Sequence, residues 1–400
     1  MAEKRQNSEQ NVQKNKRNKE VSLRTAKTLK VIAVIAVVLL LIIIAAAQFG
    51  GVTFSTVGDY ISAAVSSIGS GDGYPYSVSG VSVSNIGITN SDLVLVYDDS
   101  VKVLDSTAKE LSSLSHSFDH PTADLNSGRI LLYDLGGKDF RVQSKTRILY
   151  EKQLDYIILT GAMGKDGSAV IASRADGAES MLTVYDSRSR EVFQWKCSKE
   201  HIVSCDISDN GKNYAVSVMG VQNGTVYSKV YIFNKKNTEP TSSFEYTDSA
   251  VSSVKFLSND TLMVMGNNVC EIIENNAVKE KIDVSVNTPS RLFVSDTGTA
   301  VLVLSKYSST TQKIVKVYDK SGAETYSCEI DGIVKSVSSD GRYTAVLTGS
   351  SVQIFNRKGE MSGSANVNGD AEIVAVSSRN TYVYSLDRID KYSSVEDNKE

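Results

Sequence analysis

The chain has 400 residues, 41% of them hydrophobic and 22% charged, with four prolines and a net charge of −3. That is the composition of an ordinary folded protein, and the length exceeds one small domain. Residues 1–30 hold nine Lys/Arg against three Glu, a surplus of six that leaves −9 on the remainder; a mildly acidic body excludes nucleic acid as its main partner.

Residues 1–28 are rich in Lys, Asn, Gln and Glu and read as a disordered basic tail. Residues 29–49 then read as a membrane span. Their centre, 31–47, is VIAVIAVVLLLIIIAAA, and no charge occurs between Lys30 and Asp59. Such a run crosses a hydrocarbon core of about 30 Å as a helix, which satisfies its own backbone in lipid. Lysine and arginine crowd its N-terminal side, which puts the tail in the cytoplasm and the body outside. A signal peptide cleaved after Ala47 is the rival reading, since Ala45-Ala46-Ala47 resembles a cleavage site. The length of the apolar run and of the preceding basic segment favours the uncleaved anchor.

Residues 50–75 read as a linker. Val57, Ile61, Ala64, Val65 and Ile68 share one helical face, so 53–68 is either a short amphipathic helix or a loose stalk. Gly69-Ser70-Gly71-Asp72-Gly73 is followed by Tyr74-Pro75 and an alternating stretch. A phosphate-binding loop needs a helix there, so this is a joint.

From residue 76 to 393 the pattern changes to short apolar runs broken by polar turns. Tight turns fall near Asp92, Gly128, Gly167, Gly211, Asp260, Gly298, Gly341 and Asn380, at a mean spacing near 41 residues. Four strands of about six residues with four connections of about four make roughly 40 residues, one propeller blade. In one unit all four strands are visible: 251–257, 261–265, 269–274 and 278–284. The Asp/Asn-Gly step is expected to turn the innermost strand into the second. Tyr185, Phe233, Tyr318 and Phe355 are expected to end third strands and pack between blades, with Asp186, Asn234, Asp319 and Asn356 starting the next turn. The fold class is therefore all-β, an eight-bladed β-propeller preceded by a single transmembrane helix. Seven blades result if one unit is an insertion. The last unit has room for three strands, and 76–83 is expected to supply the fourth and close the ring. Residues 394–400 read as an acidic disordered tail.

Ser338–Val346 (SSDGRYTAV), Val315–Asp319 (VKVYD) and Val352–Asn356 (VQIFN) resemble the repeats of WD-repeat and related bacterial propellers. The only Trp, Trp195, is not followed by Asp, and no Gly-His pair occurs, so the side-chain network of those proteins is not implied. The whole layout is similar to an uncharacterised family of membrane-anchored propellers from Gram-positive bacteria. That resemblance implies a location at the cell membrane and no activity.

No residue is assigned a catalytic, cofactor-binding or metal-binding role, and no cofactor is called for. His116 and His120, with Asp119 or Asp124, are the nearest to a metal constellation, but Pro121 breaks the helix that would align them. His201 reads as a turn residue. Ser208-Asp209 and Ser295-Asp296 slightly resemble the Asp-box of sialidases without its Trp. The cysteines, Cys197, Cys205, Cys270 and Cys328, form no CxxC and read as small core residues. The functional expectation is a membrane-tethered extracytoplasmic binding or scaffold module. Its partners are membrane lipid, through 31–47, and an envelope protein, peptide or glycan at the propeller. The alternative is an envelope glycan hydrolase or lyase working with carboxylates at the propeller mouth.

Overall fold

In runs such as LVLVY (93–97), AVIAS (169–173) and AVLVLS (300–305), nearly every side chain is buried. A strand covered on one face alternates; these are covered on both, which requires a sheet neighbour above and below. The computed structural model, which describes residues 69–78 and 82–394, supplies those neighbours as eight four-stranded antiparallel sheets. The tail 1–28, the 29–49 span, the 50–68 part of the linker and 395–400 lie outside the described residues. No helix of the described residues is long and apolar enough to cross a membrane.

Blades 1 to 7 are built from consecutive strands and occupy residues 83–115, 121–153, 158–197, 201–247, 251–281, 287–331 and 336–366. Blade 8 takes Ile373–Ser377, Asn380–Ser385 and Arg388–Ser393, and its fourth strand is Tyr76–Ser77 from the other end of the chain. First strands of successive blades adjoin around most of the ring, those of blades 8 and 1 meet to close it, and the first strand of blade 6 instead lies against the second strand of blade 5. Eight blades are therefore present and the seven-blade alternative falls. The closing strand is shorter than expected: Tyr76 pairs with Ile389 and Ser77 with Arg388, and Val83 instead opens blade 1.

Each seam between blades holds one hydrophobic cluster, eight in all among the described residues. The third-strand aromatics sit where the repeat places them. Tyr185 packs on Phe140 of the preceding blade at 5.3 Å between ring centroids, and Phe233 packs on Phe193 and Trp195 at 5.3 and 5.1 Å. Tyr318 and Phe355 pack on blades 5 and 6. The next residue starts the turn: Asp186, Asn234, Asp319 and Asn356 each accept the N–H two residues on, at 2.8–3.2 Å. Glycines in the first-to-second turns take left-handed backbone, φ +78° at Gly298 and +82° at Gly341. At Gly298 a Cβ would also stand 2.0 Å from the Leu257 carbonyl oxygen, so no side chain fits.

Candidate functional site

The first strand of every blade has one edge paired within its sheet and one edge facing the axis. Buried backbone N–H groups on that second edge need partners, and polar side chains of the preceding blade provide them. Asp124 Oδ2 accepts the N–H of Met163 at 2.8 Å, and Asp206 Oδ2 accepts that of Phe256 at 2.6 Å. Ser204, Ser336 and Ser338 accept the N–H groups of Val254, Val374 and Val376 at 3.1–3.3 Å. Asn85 and Asn126 donate to the carbonyls of Ala123 and Met163 at 3.4 and 2.9 Å. These clasps stiffen the wall of the axial channel. No hydrogen bond of this kind ties the first strand of blade 6, Asn287–Val294, to blades 5 or 7 among the described residues.

The channel widens into a funnel of about 660 Å³ beside blades 6, 7, 8, 1 and 2. Its wall carries Asn85, Asp124, Lys255, Ser336 and Ser338, and its mouth carries Asn90, Ser91, Asp296, Thr297, Asp340, Arg342 and Ser378. A second cavity, sharing Asp124, Lys255, Ser295 and Asp296, reaches Asp206 and Asp209. Lys255 Nζ lies 3.2 Å from Asp206 Oδ1 and 3.8 Å from Asp124 Oδ1, bridging blades 2, 4 and 5. Burial works against the Lys255 charge, but Asp206 and Asp124 outweigh it and hold its pKa above the ordinary lysine value. Burial also holds the Asp206 carboxyl above its usual range, against the pull of Lys255. Burial pushes the pKa of Asp296 up to about 6: the N–H of Ser127 opposes, the nearby Asp124 adds to the rise, and the charge of Lys165 offsets only part of it.

A model of a family of unknown function, DUF5711, matches residues 75–391. The chain belongs to this family. A search of curated proteins finds no match to this DUF5711 sequence. Solved structures similar in fold include the C-terminal WD40 domain of Sif2 (TM-score 0.55, 12% identity, 78% of this chain and 98% of that one). Sqt1 of Saccharomyces cerevisiae is another (TM-score 0.53, 11% identity, 81% of this chain and 100% of that one). At these identities the likeness shows the fold alone.

In the DUF5711 propeller Asp124, Asp209, Ser295 and Asp296, singled out from sequence for separate reasons, line the second cavity together, while the other residues singled out are scattered. His116 uses both ring nitrogens internally: Nε2 donates to the Tyr97 carbonyl at 3.1 Å and Nδ1 accepts the N–H of Phe118 at 3.3 Å. Burial, with Arg141 next, lowers its pKa. His120 is exposed and its backbone N–H bonds Asp134, while Asp124 belongs to the axis, so the proposed ligands do not converge. His201 stands 3.6 Å from Glu179 with both side chains half exposed. Ser208 closes its own turn by accepting the N–H of Asn213, and Asp209 pairs with Lys165 at 2.6 Å. Cys197, Cys205 and Cys270 are buried, and Cys328 is half-buried. The axial group of Asp206, Lys255 and Arg342 has no local signature. Its members become neighbours only through the closed ring. Alternation in the first strands, polar toward the axis, is the one signal that marks such positions.

Proposed function

We propose that this chain is a membrane-tethered extracytoplasmic module that binds an envelope protein, peptide or glycan at its propeller. The observation that carries this reading is the stiff axial funnel, whose wall polar groups are spent on clasping blades while the mouth presents Arg342, Asn90 and Ser378 to solvent. A rigid ring with exposed, chemically varied turns binds well because little ordering is needed on association. The apolar run at 31–47 and the basic segment before it support the tether and its direction.

The segment that leads in from the tether docks on blade 1. Gly71 N–H donates to Thr107 Oγ1 at 2.8 Å, Gly73 N–H to the Thr107 carbonyl at 3.0 Å, and Tyr74 Oη to the Asp105 carbonyl at 3.2 Å. Thr107 lies in the hairpin between the third and fourth strands, on the same face as the funnel mouth. Tethering raises the local concentration of the module for other envelope components. The test is photo-crosslinking in intact cells, with the reactive residue at Arg342 or Ser91 at the mouth and a control at Val221 on the far face. A discrete adduct from the mouth positions alone is the expected result. Identical patterns from mouth and control overturn the reading.

A second reading, glycan hydrolysis or lysis, has the raised pKa of Asp296 in its favour, because a carboxyl with a pKa near 6 can donate a proton at neutral pH. Its test is cleavage of envelope glycan by the full chain, abolished by Asp296→Asn.

A further inference from the structure

A third cleft, sharing no lining residue with the funnel and only Phe256 with the second cavity, lies between blades 4 and 5 and has a volume of about 280 Å³. Its apolar lining is narrow: Ile232 and Leu262 are buried, and Phe256 is the one partly exposed apolar side chain. Its rim is carboxamide. Asn213 and Asn234 are bonded to each other, Nδ2 of Asn234 donating to Oδ1 of Asn213 at 2.7 Å, which fixes both side chains. Asn213 Nδ2 is further held by the Asn259 carbonyl at 2.8 Å. Asn237 and Asn275 are exposed, and their carboxamides have no hydrogen-bond partner among the described residues.

Asn275 takes φ +50° in its turn, and that backbone conformation alone accounts for Asn or Gly there. It does not account for Asn237, which has no such φ and still faces the same cleft. A carboxamide offers a donor pair and an acceptor pair without charge. Asp260 is the only ionisable residue in the lining, so the cleft has no cation to receive a phosphate or carboxylate. An extended peptide would need an unpaired strand edge, whereas this rim is built of turn residues. What suits one partly exposed aromatic side chain beside neutral two-way hydrogen-bonding groups is a ring with C–H on its face and hydroxyls on its edge.

We propose that this cleft binds a neutral sugar residue of a glycan, with its C–H face on Phe256 and its hydroxyls on Asn237 and Asn275. The site shares no lining residue with the funnel and does not rest on the reading of it. The test uses the full chain in detergent on an array of neutral and anionic oligosaccharides, followed by titration calorimetry. The double variant Asn237→Ala, Asn275→Gly removes both free amides and keeps the left-handed turn, and its unfolding midpoint reports that the fold is intact. Expected are saturable binding of at least one neutral glycan and a loss of affinity of about tenfold or more in the double variant. Binding of no neutral glycan, or binding that the double variant leaves unchanged, overturns the proposal. Funnel crosslinking at Arg342 is unaffected by the double variant, so the two sites fail or stand separately.

Discussion

Asp296 is the sharpest probe of the axial electrostatics. Burial raises its pKa from 3.8 to about 6 in the folded chain, so the fold disfavours its charged form. The sign follows: between 3.8 and 6 the folded chain binds more protons than the unfolded one, and stability rises as pH falls through that window. A shift of about two units corresponds to about 3 kcal/mol, which solvent at the partly exposed carboxyl screens to about 1–2 kcal/mol. Asn imitates the protonated carboxyl in size and has an oxygen to accept the Ser127 N–H. Asp296→Asn should therefore stabilise the protein by about 1–2 kcal/mol at pH 7.5 and by about a third of that at pH 4.5. Urea unfolding at four pH values between these limits measures it. An equal effect of the substitution at both ends of the range would refute the reasoning, because no protonation difference would then exist.

Three further outcomes are expected. Phe233→Ala empties a fully buried site packed on Phe193 and Trp195 and should cost about 3–5 kcal/mol in urea unfolding, with Phe233→Leu costing much less. Hydrogen exchange by mass spectrometry should find the first strand of blade 6, Asn287–Val294, exchanging faster than the clasped first strands Val251–Phe256 and Ile373–Ser377, since none of its residues is buried. Deletion of 69–77 removes the Tyr76–Ser77 pairing and the Tyr74 ring contact with Tyr382, leaves Arg388–Ser393 as an open edge, and should lower stability by about 2–4 kcal/mol. Unchanged urea midpoint and solution size in that deletion would mean that closure contributes nothing.

The blades were legible in the sequence because their demands are local. A left-handed turn selects Gly at 298 and 341, and a carboxylate or carboxamide at 186, 234, 319 and 356 accepts the N–H two residues on within the same hairpin. The continuous apolar second strands report burial on both faces directly. The closing strand was less legible: alternation over 76–83 marks extended chain but not where pairing ends, and only Tyr76 and Ser77 pair. The axial site was legible only as isolated residues, Asp124 and Asp296, and not as a group. Asp124, Asp206, Lys255 and Asp296 come from blades 2, 4, 5 and 6, and no periodicity within one blade states which side chains meet across a ring. In the sequence Asp124 stands out only for its histidine neighbours, whereas in the fold it accepts the Met163 N–H beside Lys255.

Thiol accessibility in intact cells tests the proposal of a tethered, outward-facing propeller most directly. Native background is low: Cys197, Cys205 and Cys270 are buried, and burial pushes the Cys328 thiol up to about 11. With Cys328→Ser as the parent, one thiol is introduced either by Val221→Cys, at a position 70% exposed on the propeller, or by Ser8→Cys in the basic tail. A membrane-impermeant maleimide should label the first variant in intact cells and the second only after lysis. Labelling of the tail variant in intact cells, with the propeller variant protected until lysis, would contradict the account.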